Sequence, residues 1–187
     1  MYVVSAPLAP AHVKVEVPRS WEIATGLVPT SDPHTFFAPT AEFLVDSPIL
    51  AGQIRSWRFD VDGTPHRIVY WPLPDATPFD TTAFVSSLER LSRQAVALFG
   101  RAPYREFVFQ FQDGAFGGLE HANSTVLMTG RWRTRERRGY VDWLSLVSHE
   151  FFCSASDLEG ETGLADAARA SECDETGVLE QFDHKVG

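Results

Sequence analysis

The sequence predicts an α+β fold, with antiparallel strands before residue 75 and helices interleaved with strands after it. Three observations carry this. Apolar and polar residues alternate in short runs before residue 75. A run after Asp80 repeats its apolar residues at helical spacing. A second helical run carries a His-Glu pair at 149 and 150.

In the first region His12-Val-Lys-Val-Glu-Val17 alternates with period two, and Pro18 closes it. Residues 54–61 and 66–71 alternate as well and are joined through Asp62-Gly63. Both of those residues tolerate positive φ, so the pair predicts a tight hairpin. Residues 1–75 therefore read as antiparallel β, part of a β-sandwich domain. Asp80 caps a predicted helix over 81–99 in which Phe84, Leu88, Leu91, Ala95 and Leu98 form one apolar face. Gly100 stops it, and Leu88, Leu91 and Leu98 are expected to point inward. Tyr104-Arg-Glu-Phe-Val-Phe-Gln-Phe111 predicts a strand whose Phe107, Phe109 and Phe111 serve the core. A glycine-rich turn follows at 113–118, and a second helix is expected from an Asp142 cap through Phe152. Residues 76–153 read as the second domain.

After Cys153 the composition changes. Residues 154–187 hold nine acids against Arg169 and Lys185, and their one aromatic is Phe182. Such a tail has little apolar surface to bury, and it reads as disordered. The chain as a whole is 44% hydrophobic and carries a net charge of -9, which excludes a general nucleic-acid binder because phosphate binding needs a clustered basic face. The basic run at 131–138 reads as a solvated loop. No segment is apolar and long enough to span a bilayer, and the first residues lack a charged leader before a hydrophobic run. The chain as written therefore reads as cytoplasmic with no membrane partner, leaving export open for a longer natural form. Its two cysteines, Cys153 and Cys173, are too few for a disulfide scaffold and fit a reducing compartment or two idle thiols.

The sharpest chemical signal is Val147-Ser-His-Glu-Phe-Phe-Cys153, a His-Glu-x-x-His helix with Cys in place of the last His. Positions i and i+4 project from one helix face a turn apart, the spacing that lets two side chains hold one zinc. That spacing makes His149 and Cys153 candidate metal ligands. Glu150 would lie beside the metal, where a carboxylate can take a proton from bound water.

Gly117-Gly-Leu-Glu-His-Ala-Asn-Ser-Thr-Val-Leu127, followed by Leu146-Val-Ser-His-Glu-Phe-Phe152, closely resembles the consecutive catalytic motifs of the glycyl aminopeptidases, peptidase family M sixty-one. Val15-Glu-Val-Pro-Arg-Ser-Trp-Glu-Ile-Ala-Thr-Gly-Leu27 and Ala95-Val-Ala-Leu-Phe-Gly100 are similar to the same family in the same order. The resemblance covers residues 12–152. It implies an N-terminal β-sandwich followed by a thermolysin-like (zincin) catalytic domain that uses zinc to cleave N-terminal residues from a peptide substrate. It also implies His149 as first ligand, Glu150 as general base, and Glu120 with Gly117 and Gly118 as the substrate-binding element that grips the free α-amine. His121 and Asn123 belong to the same motif without an assigned role.

The chain departs from the family pattern at three points. Cys153 stands where the family has His, and thiolate does not reproduce imidazole reach. The text after Cys153 does not resemble the family, and no helix supplying a third ligand, a Glu, is recognisable. Glu172 follows the motif at a spacing other zinc sites use, but it is one acid among nine. These departures predict a truncated or frameshifted member whose metal site is incomplete and which is inactive as written. The alternative is a non-catalytic, peptide-binding module that keeps the fold.

Overall fold

The computed structural model describes residues 9–74, 79–114, 117–129 and 136–161. Two small antiparallel sheets open it. β1 (Ala11–Lys14), β4 (Thr35–Ala38) and β3 (Val28–Pro29) form one in the order β1-β4-β3, while β2 (Glu22–Thr25) pairs with β5 (Ile49–Gly52). β1 is shorter than the alternation over 12–17 suggests. A five-residue helix, α1 (Ala41–Val45), sits between β4 and β5, and its Thr40 cap accepts a hydrogen bond from the Phe43 N–H. Phe43 and Leu44 pack onto a small core of Ile23, Leu27, Phe36 and Ala38.

The larger sheet is mixed, in the order β6 (Arg55–Val61), β7 (Thr64–Trp71), β8 (Phe107–Asp113), β10 (Ser124–Thr129), β9 (Gly117–His121). The β6–β7 hairpin turns where expected: Asp62 has φ 52° and Gly63 φ 84°, the double positive φ that keeps a two-residue hairpin in step with strand twist. β7 pairs with β8 in parallel, β8 with β10 in parallel, and β9 adds antiparallel at the edge. Strands from both sides of residue 75 thus share one sheet, so the boundary placed there does not separate two sheets. The alternation of β7 and β8 gives the reason. Ile68 and Tyr70 stand beside Phe107, Phe109 and Phe111 and make one continuous apolar face.

Two helices cover that face, α2 (Thr81–Phe99) and α3 (Arg137–Glu161). Asp80 accepts from the Ala83 N–H at 3.0 Å and Gly100 closes α2 at φ 77°, both as the sequence predicts. Leu88 is fully buried and Leu91 packs against the core, but Leu98 is 68% exposed. The expectation for Leu98 is corrected: the buried line runs Phe84, Leu88, Ser92, Val96 in steps of four and rotates away from position 98. In α3 the helix begins at Arg137, so Asp142 is an exposed residue of its second turn and not its cap. The helix also continues through Cys153 to Glu161, because Cys153, Ser154 and Ala155 remain buried and packing carries it past the change in composition. The remainder of the acidic tail, 162–187, lies outside the described residues.

Trp143, Val147 and Phe151 of α3 fill the core with Phe84 and Leu88. On the opposite face of the sheet Val69 and Val108 pack with Ala24, Leu50 and Ile54, so β2 and β5 form a third layer. β8 is consequently buried on both sides. Gln110 is only 3% exposed, and its amide donates to the Pro48 carbonyl. This layering seats the N-terminal elements against the same sheet whose far edge carries β9.

Candidate active site

The site lies where β9 meets α3. β9 pairs with β10 on one side only, and α3 packs across both strands. The sequence places a glycine pair at the start of β9 for a steric reason that the structure makes plain. A Cβ on Gly118 would stand 2.5 Å from Glu150 Oε1 and 2.6 Å from its Cγ and Cδ. Glycine lets the strand approach the helix that closely without displacing the Glu150 side chain. Gly117 is different, since a Cβ there would meet only Met128 at 3.9 Å, an ordinary contact.

Glu150 is 6% exposed. Burial, then a hydrogen bond that its protonated carboxyl donates to Glu120, then the charge of Glu120 push its acid up to about 7. The protonated Glu150 and Glu120 thus form a hydrogen-bonded carboxyl pair. Glu120 itself is exposed at the strand edge. The arrangement therefore has a solvent-facing carboxylate able to take a cation and a buried carboxyl able to hold or release a proton.

His149 and Cys153 lie one turn apart on α3, with Cys153 Sγ 3.9 Å from His149 Nε2. Cys153 is 3% exposed and disulfide-bonded, not an idle thiol. A sulfur so engaged has no thiolate to offer a metal. Among the described residues no group of three His, Cys, Asp or Glu side chains is placed to hold a metal ion. These residues alone do not fit a catalytic zinc, which takes three protein ligands. Glu172 lies outside the described residues.

The structure gives His121 and Asn123 the contacts that sequence reasoning left open. His121 Nδ1 lies 3.0 Å from Asp46 Oδ1, and the Ala122 N–H donates to Asp46 Oδ2 at 2.7 Å. Asn123 Nδ2 donates to the Gly26 carbonyl at 2.9 Å, and a Cβ on Gly26 would collide with the Asn123 side chain. Asp46 and Gly26 were missed because their partners lie 75 to 97 residues away, beyond any local pattern. His66, with no ligand spacing, is fully buried: Nδ1 donates to the Thr64 carbonyl and Nε2 accepts from the Tyr104 hydroxyl. It stacks on Phe59 at 4.8 Å.

No helix among the described residues is long and apolar enough to cross a membrane. Residues 1–53 match the Peptidase M61 N-terminal domain. No curated protein sequence matches the chain. Among solved structures the chain is similar to an aminopeptidase N family protein from Idiomarina loihiensis, with 28% identity and a TM-score of 0.69 over 78% of this chain and 27% of that one. An M1 zinc metallopeptidase from Deinococcus radiodurans matches at 15% identity and a TM-score of 0.44, over 76% of this chain and 33% of that one. Legionella pneumophila aminopeptidase A matches at 16% and 0.43, over 77% and 17%. The last two are too distant to add weight. The chain thus spans about a quarter of the Idiomarina protein's length. The first 53 residues are thus similar in sequence to the M61 peptidase N-terminal domain, and the fold of most of the chain is similar to that of an aminopeptidase N family protein.

Proposed function

We propose that this chain carries the amine-recognition strand and the base-bearing helix of a glycyl-type aminopeptidase, without a complete metal site among its described residues. The observation that carries the reading is the Glu120–Glu150 carboxyl pair, formed where Gly118 lets β9 approach α3. Glu120 at the strand edge pairs with the substrate's α-ammonium, and the charge-assisted contact counts off the terminal residue. An ammonium there takes over the oxygen and the charge that hold the Glu150 proton. Amine binding therefore favours the Glu150 carboxylate, the form able to accept a proton from water. A metal at His149 would need ligands from outside the described residues, and no step is assigned to it.

NMR titration of the full chain with glycinamide and with N-acetylglycinamide tests this. Glycinamide alone is expected to shift the Glu120 and Gly118 resonances, and Glu120→Gln to abolish the response. Equal responses to both ligands would remove the amine site. A second reading, a peptide-binding module without hydrolysis, is supported by the disulfide-bonded Cys153 at the second ligand position. It predicts the same glycinamide response but no release of product.

A further inference from the structure

We propose that Asp46 is a positioning residue that sets Glu120 over Glu150 by clamping the β9–β10 turn. The inference rests on the reading of Glu120 as the amine site. Among the described residues β9 is an edge strand of five residues, hydrogen-bonded to β10 alone, and such strands are the first to fray. Its position over α3 needs a fixed end. Asp46 supplies one, since its two carboxylate oxygens are divided between the His121 ring and the Ala122 N–H. Both bonds reach the residues immediately after Glu120.

The carboxylate is itself held. Asp46 ends α1, and its own N–H donates to the Glu42 carbonyl at 2.9 Å. α1 is capped by Thr40 and anchored through Phe43 and Leu44 on the small N-terminal core. Asn123 adds a second tether from the same turn to Gly26. At the other end of the strand Gly118 rests against Glu150. Glu120 lies between these two fixed points, so slack at the turn becomes displacement of its carboxylate. The N-terminal layer thereby contributes to the site without lending it a side chain.

The test is hydrogen exchange by mass spectrometry on the full chain, with segment 107–113 as internal control and glycinamide affinity as functional readout. Asp46→Ala is expected to speed exchange in 117–123 about tenfold, to leave 107–113 unchanged, and to weaken glycinamide binding several-fold. Asp46→Asn, which keeps an acceptor for one of the two N–H groups, should fall between, and it serves if the alanine variant does not fold. Asn123→Ala should reproduce the direction of the effect from the second tether. Unchanged exchange in 117–123, or equal acceleration in 107–113, overturns the clamp. Failure of the parent chain to bind glycinamide counts against the amine-site reading instead, because the exchange data decide the clamp independently.

Discussion

Gly118 and Glu150 are in such close contact that a single added carbon on the glycine would stand 2.5 Å from the glutamate's Oε1. The neighbour that must yield is a flexible side chain and not backbone. Gly118→Ala should therefore cost only about 1–2 kcal/mol of stability, while swinging Glu150 away from Glu120. The expected signature is a Glu150 carboxyl that titrates nearer 4.5 than 7 in carbon-detected NMR. A variant that still titrates near 7 would show that the close approach does not set the pair.

The same pair gives stability a pH dependence of known sign. Glu150 has its acid raised in the fold, so folding is favoured while the group is protonated in both states. That advantage is lost as pH rises from about 4.5 toward 7, where the unfolded chain ionises first. Glu150→Gln stays neutral throughout. It should match the parent at pH 4 and exceed it at pH 8 by on the order of 1–3 kcal/mol in urea denaturation. A Gln variant less stable than the parent at pH 8 would contradict the burial argument.

His66 acts in the opposite direction. Burial holds its imidazole neutral, with its acid lowered to about 4 from 6.5, because nothing in the aromatic cluster around it solvates a cation. Its contribution is intact above pH 6.5 and is lost as pH falls toward 4, by up to about 3 kcal/mol. Proton NMR of the imidazole should show a midpoint near 4. A midpoint near 6.5 would mean that the ring is reachable by water.

Purified chain is expected to contain well under one equivalent of zinc. His149 is the one ligand the α3 motif offers, since Cys153 is disulfide-bonded, and a metal held at so few points exchanges its remaining positions with water. Cys153→His should not restore release of N-terminal Gly from a chromogenic amide. Stoichiometric zinc lost in His149→Ala, with Glu150-dependent hydrolysis, would show that residues beyond 161 supply ligands.

The sequence by itself determined the local pieces. Asp62-Gly63 fixed the hairpin because two positive φ values are tolerated there, and Asp80 and Gly100 fixed both ends of α2 because each satisfies or terminates helical backbone groups. It also brought Glu120, His149 and Glu150 forward as candidates through motif order. What it could not carry was anything decided between distant segments. Leu98 belonged to a good helical stripe, yet it is left 68% exposed among the described residues. The parallel pairing of β7 with β8 joined strands across residue 75, since the faces of Ile68 and Phe109 could be buried together. Cys153 lost its place as a thiol to a disulfide. The pairing of the Glu150 carboxyl with Glu120, and the hold of Asp46 on the turn beside them, arise only from packing. Backbone spacing sets which way a residue points, but a pKa or a tether depends on what the rest of the chain brings within a few ångströms.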